Sequence, residues 1–277
     1  MKWNIKKQLT STPEAEFFVI EHENTEKLLK FYKDGVNPDS LLHSSLVNPI
    51  VRGTQDGRKF ELMPSFEKLN PNKNFSDKEI KELICQIASG IDFLHSNNII
   101  HRGISPENIV NNGTWCLANN GSSVPIDNVC MGDIVGDFNY MAPEAATGMY
   151  SKPSDWWSLG AVLYELITGK KLSIGNNLYA AASVEVNIPD CGIYTNLLKG
   201  LLNKNIDARW SFKEVEEWNI ENENKLNKIK KAEKVAWCAC GLILFMVCLR
   251  APIILYETFI VAMPALAIYG IYKYFKS

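Results

Sequence analysis

The feature that leaves this chain the fewest folding options is a helical pattern that empties into a polar loop, His101 to Val110. Ser76-Asp-Lys-Glu79 has the form of a capping box, in which serine and glutamate satisfy each other's backbone amides at a helix start. Apolar residues follow at Ile80, Leu83, Ile84, Ile87, Ala88, Ile91 and Leu94, a spacing that gathers them on one helix face. Cys85 and His95 read as a packing residue and a helix-end residue. The loop itself runs His-Arg-Gly-Ile-Ser-Pro-Glu-Asn and closes on Ile109-Val110, an apolar pair suited to a short strand.

This loop resembles the catalytic loop of eukaryotic-type protein kinases, whose pattern is H-R-D-x-x-x-x-N. His101, Arg102 and Asn108 fit at the family's spacing, but Gly103 stands where the catalytic Asp belongs. That Asp accepts the proton of the attacking hydroxyl and orients its oxygen. Glycine does neither. Ser105 occupies the place of the Lys that steadies the transferred phosphate in serine/threonine kinases. Further along, Asn119-Asn120-Gly121 matches D-F-G, with a neutral amide where magnesium needs a carboxylate. Of that triplet Gly121 alone survives.

The architectural positions match better. Met141-Ala-Pro-Glu144 resembles the A-P-E that ends the activation segment. Ser154 to Gly160 resembles the start of the long central helix, where Asp155 would hold the backbone of the catalytic loop. Arg209 resembles the late arginine that pairs with the A-P-E glutamate, here Glu144. The resemblance covers roughly Leu9 to Trp218 and implies an α+β, two-lobed kinase-like fold. The small β-rich lobe is expected over about 1–63 and the helical lobe over about 73–222.

The small lobe is reduced. Residues 1 to 35 read as strands, with apolar runs at Phe17–Ile20 and Leu28–Tyr32 around a polar turn. By the resemblance these are the second and third strands, and Lys30 matches the Lys of V-A-I-K. A solvated lysine on an edge strand is the competing reading. Ahead of them, Leu9 to Glu16 holds no glycine, includes Pro13, and carries Glu14 and Glu16, a poor lid for phosphates. Between Val36 and Val51 a kinase has the helix whose Glu pairs with that Lys, but only Asp39 is acidic here. Pro38 and Pro49 limit a helix there to at most about ten residues. The ion pair is therefore expected to be missing. Arg58 to Met63 reads as a strand, and Pro64 to Asn74 as the hinge and its exit.

Twenty-nine Lys and Arg against 31 Asp and Glu exclude the basic footprint of a nucleic-acid partner. Seven cysteines without C-x-x-C spacing suggest neither a disulfide framework nor a zinc site. The start, Met-Lys-Trp-Asn-Ile-Lys-Lys, has no apolar core and does not read as a signal peptide. The far end differs in character: a basic helix over 223–234 abuts apolar segments Val235–Leu249 and Pro252–Tyr272, joined by Arg250-Ala-Pro252. A membrane hairpin over 235–272 is the preferred reading, with lysines on both outer flanks placing domain and C-terminus in the cytoplasm. A single span and a buried soluble helical pair are the alternatives. The first segment makes only about 22 Å of helix against a core of about 30 Å, so the hairpin is a tight fit.

The leading functional expectation is a membrane-anchored, cytosol-facing pseudokinase that binds another protein as a scaffold or regulator. No catalytic residue, metal or cofactor is expected, beyond weak ATP binding without magnesium through Lys30 and Asn108. An active kinase with an unusual mechanism and a structural membrane protein with a kinase-like plug are the alternatives. Phosphate transfer separates the active kinase from the other two.

Overall fold

The apolar and β-branched runs near the start of the chain form an antiparallel sheet, as their period predicts. The computed structural model describes residues 3–9, 11, 15–35, 41–118, 123–125, 136–172 and 186–248, the last ten and 124–125 by their backbone alone. Strands β1 (Asn4–Gln8), β2 (Ala15–His22), β3 (Thr25–Tyr32), β4 (Val51–Gln55) and β5 (Arg58–Met63) pair in the order β1-β2-β3-β5-β4. One face of the sheet buries Ile20, Leu29, Phe60 and Leu62, with Trp3, Phe18 and Phe31 against them. The tight β4–β5 connection requires a left-handed backbone at Asp56 and Gly57, with φ of 51° and 78°. Strand β4 was not foreseen, because Val51-Arg-Gly-Thr-Gln shows no clear alternation.

The helix expected between Pro38 and Pro49 is corrected over residues 41–50, which carry a turn and an isolated bridge instead. Three long-range bonds hold this segment extended. Leu117 donates to Ser45 O at 2.8 Å, Val47 donates to Leu117 O at 3.0 Å, and Ile50 donates to Leu62 O at 2.7 Å. His43 stacks on Phe93 with ring centroids 4.5 Å apart. The approach is close enough to need a glycine below it, since a Cβ on Gly90 would lie 2.9 Å from Ser45 O. Backbone groups committed to the sheet strand opposite have no helical partners to make.

Helix α1 spans Asp77–Ser96, and its capping box is formed: Ser76 N donates to Glu79 Oε2 at 2.8 Å. The face it buries contains all seven of the apolar positions named from the sequence. The short β7 (Ile99–Ile100), β8 (Ile109–Asn111) and β9 (Trp115–Leu117) follow. β8 pairs with β9 and with β6 (Glu67–Lys68), and β7 pairs with β10 (Val124–Pro125). Helix α2 (Lys152–Thr168) starts on a capping box at Ser151 and Ser154, and packs its Trp157, Leu159 and Val162 into the larger core. Helix α3 (Thr195–Leu201) and the first turns of α4 (Phe212–Cys248), with Val215 and Trp218, complete that core.

The chain divides into two compact units, Met1–Trp218 and Asn219–Ser277. The basic stretch 223–234 and the beginning of the apolar stretch are continuous with α4. The rest of the expected hairpin, 249–272, lies outside the described residues. Among those described, no helix is long and apolar enough to cross a membrane.

Glu144 and Arg209 meet across 65 residues as a bidentate pair, Nη1 to Oε1 at 2.6 Å and Nη2 to Oε2 at 3.1 Å. Arg209 further donates to Pro153 O and Asn203 O, and its guanidinium lies 5.1 Å from the Trp157 ring centroid. Ser154 Oγ donates to the same Glu144 oxygen at 2.8 Å. Both charges are shielded, with Arg209 side-chain exposure 0% and Glu144 7%. Cutting such a pair from one side strands a charge in a dry site. Arg209→Ala should therefore cost the first unit about 3–5 kcal/mol, read as a lowered denaturation midpoint of the full-length chain. An unchanged midpoint would contradict the pair's structural role.

Candidate nucleotide cleft and catalytic loop

The loop after β7 is held by one carboxylate. Asp155, 1% exposed on the first turn of α2, accepts the His101 amide at 2.8 Å and the Arg102 amide at 2.9 Å. His95 Nε2, at the end of α1, lies 2.9 Å from the same side chain. Three elements thus converge on one buried acid. Arg102 takes a positive φ of 61°, uncommon for a residue with a Cβ, which turns the chain sharply just after the two amides bonded to Asp155. Its guanidinium rests 4.9 Å from the Tyr150 ring centroid.

His101 is 1% exposed and bridges the loop to the residue that follows β9. Gly103 N–H donates to its Nδ1 at 3.3 Å, and its Nε2 faces Ala118 O at 3.2 Å. These contacts define a neutral ring with the proton on Nε2. Burial lowers its pKa, outweighing the nearby Asp155 charge that pulls the other way. Asn108 closes the loop by donating its Nδ2 to Gly103 O at 2.6 Å, so the amide nitrogen serves the backbone. Ser105 is buried and precedes the 3₁₀ turn Pro106–Asn108, where its carbonyl accepts from Asn108 and Ile109. Gly103 sits at the apex of this frame and presents no side chain. Ala118 N donates to Asn108 O at 2.8 Å, tying down the residue before Asn119. Asn119, Asn120 and Gly121 lie outside the described residues.

Lys30 lies on β3, the middle strand of five, which rules out the edge-strand reading. The cross-strand register sets Phe17, Lys30, Glu61 and Arg52 in one row across β2, β3, β5 and β4. All four line a cavity of about 210 Å³, together with Leu28, Tyr32, Met63, Phe66, Ile99 and His101. Glu61 is 3% exposed; one oxygen accepts the Tyr32 hydroxyl at 2.7 Å and the other Arg52 Nε at 2.8 Å. The Lys30 ammonium lies 4.4 Å from the Tyr32 ring centroid.

These residues fit a magnesium-bound nucleotide poorly. Glu61 is the one carboxylate among the described cleft residues, and both its oxygens are already engaged. The Leu9 amide is bonded to Phe17 O at 2.8 Å, continuing the β1–β2 pairing where a phosphate lid would need open amides. Glu16, further along, is ion-paired to Arg58 at 2.5 Å.

Sequence reasoning passed over Tyr32, Arg52, Glu61 and the His95–Asp155 contact. The one available signal was an acid inside the otherwise apolar Phe60–Met63 run. A buried acid in a strand calls for partners.

A five-stranded sheet against a helical lobe, with this loop anchored to the central helix, defines a eukaryotic-type protein kinase domain. The protein kinase domain family model matches residues 4–219, and the chain belongs to that family. It is 39% identical over 110 residues to "Developmentally-regulated protein kinase 1" of Dictyostelium discoideum, covering 38% of this chain and 15% of that protein. With "Serine/threonine-protein kinase TIO" of Arabidopsis thaliana it shares 27% over 260 residues, 85% of this chain and 20% of that protein. With "Probable serine/threonine-protein kinase nek1" of Dictyostelium discoideum it shares 29% over 236 residues, 71% and 48% respectively. The chain therefore spans less than half the length of each of these relatives.

The His101 geometry has a pH consequence. Its folded pKa is lowered from 6.5, so the unfolded chain takes up the proton first and acid favours unfolding. The contribution is present above about pH 6.5 and is lost as the pH falls toward the folded value. His101→Asn should flatten the fall of melting temperature between about pH 7.5 and about pH 5.5 relative to the unsubstituted chain. Parallel pH profiles would contradict the neutral-ring assignment.

Proposed function

We propose that this chain is a catalytically inactive protein kinase that works by binding another protein, held at a membrane by residues 235–272 with its kinase domain on the cytoplasmic side. The carrying observation is Gly103. The loop around it is held by Asp155 and Asn108 in a defined path, so a missing side chain there is a missing chemical group. The framework bonds remain: Asp155 to the loop, and Glu144 to Arg209. A partner surface needs shape, which those bonds maintain. Phosphoryl transfer needs a positioning carboxylate and metal ligands, since its catalysis is almost wholly orientation and electrostatics.

Nucleotide, in this reading, is held weakly and without magnesium, its phosphates facing Lys30 in the cleft. The membrane part rests on the apolar stretches 235–249 and 252–272; as helix the whole segment 235–272 would run roughly 57 Å, just under two crossings of a bilayer core. Arg250 would then reach the far surface by extending its stem.

The relatives' printed names are those of kinases, and they favour an active enzyme with an unusual mechanism as the second reading. Incubating the purified full-length chain with radiolabelled ATP and magnesium separates the two. No incorporation above a Lys30→Ala control is expected; incorporation that disappears in that control would overturn the inactive reading. For the anchor, deletion of 235–277 should move the domain from the membrane to the soluble fraction. Tags at both ends should resist protease added to intact cells. Digestion of the C-terminal tag alone would mean a single crossing.

A further inference from the structure

We propose that Tyr32 and Glu61 together position Lys30 in the cleft, a sheet-borne device that stands in for the helix-borne glutamate this chain lacks. The positioning follows from the cleft geometry alone, while the ligand it serves rests on the metal-free nucleotide reading given above.

The β register generates the arrangement. Lys30 and Tyr32 are two apart on β3 and share a face, while Leu29 and Phe31 turn to the small-lobe core. Glu61 is the direct cross-strand partner of Lys30, and Arg52 that of Glu61. Cation, anion and cation therefore alternate along one row, with the Tyr32 ring beneath the first cation at 4.4 Å. Opposite charges directly across a strand pair stabilise each other.

Two effects make the Tyr32–Glu61 bond matter to Lys30. A phenol donating to a carboxylate gains electron density, and the negative face of its ring attracts a cation more strongly. Tyr32 is 5% exposed and Glu61 3%, so little water screens either interaction. Arg52 completes the acid's hydrogen bonding from the other side at 2.8 Å and fixes which oxygen faces Tyr32. Lys30 and Arg52 against Glu61 leave the row with one net positive charge. The ligand class it suits is an anion carrying its own negative charge, such as nucleotide phosphate without a divalent ion.

The test reads Lys30 directly. The full-length chain is treated with limiting small acylating ester, and the peptides carrying Lys30 and the exposed Lys33 are quantified by mass spectrometry. Acylation requires a neutral amine turned toward reagent, so holding the ammonium against a ring slows it. Tyr32→Leu and Glu61→Gln should each speed Lys30 acylation about three- to fivefold, with Lys33 unchanged. Tyr32→Phe, which keeps the ring and loses the hydroxyl, should fall between them and the unsubstituted chain. If the first two variants melt below the assay temperature, Tyr32→Phe decides. A Lys30 rate equal to the unsubstituted chain's in Glu61→Gln, or in Tyr32→Phe, would overturn the proposal. Adding ATP with a chelator tests the ligand separately: Lys30 should be protected in the unsubstituted chain. Variant acceleration without such protection would retain the positioning role and sink the nucleotide reading.

Discussion

The buried carboxylate of Asp155 is the constraint from which the rest of the large lobe follows. It joins α2 to the loop after β7 and to the end of α1 through bonds of 2.8 to 2.9 Å. Arg102, whose amide makes one of those bonds, has a left-handed backbone. That conformation costs a residue with a Cβ about 1–2 kcal/mol. Hydrogen bonds from amides to a charged acceptor return about 1.5–3 kcal/mol each, and two of them converge here. Anchoring on this scale exceeds the strain at Arg102, and the turn sets the path of the chain into Gly103.

The frame of a kinase domain and the groups that act on its substrate rest on different atoms. The frame uses Asp155, Asn108, Glu144 and Arg209, whose partners are backbone groups, one another, and the side chains of His95 and Ser154. Removing any of them would strand buried charge or polar atoms. The groups that act on substrate point outward into solvent or ligand, so losing one at Gly103 leaves nothing unsatisfied behind. The observed pattern, an intact lattice of buried bonds around a missing side chain, follows from that asymmetry.

The small lobe is held by sheet contacts of its own. Residues 41–50 bond to β9 and β5 rather than coiling, so no helical side chain from that segment approaches β3. The charged row across β3, β5 and β4 lies on the cleft face, and its acid is bonded through both oxygens within the sheet. The Arg52–Glu61 ion pair is carried within one sheet and does not depend on the movement of a separate helix.

How much was legible beforehand depended on whether a signal was local. The capping box at Ser76, the apolar stripe of α1 and the β2–β3 hairpin are set by spacing along the chain, and each formed over the residues that carry the pattern. Gly103 was equally plain, because an absent side chain needs no partner to be recognised. Glu144 and Arg209 were paired by resemblance alone, since nothing in 65 residues of separation announces a contact. The route of residues 41–50, the burial of Glu61 and the seat of Lys30 on Tyr32 came only from the tertiary structure. All three rest on which strands lie side by side and in what register, and a shift of one residue would turn each of those side chains to the opposite face. Composition and period determined which segments became helix and strand; the long-range pairing decided what the cleft contains.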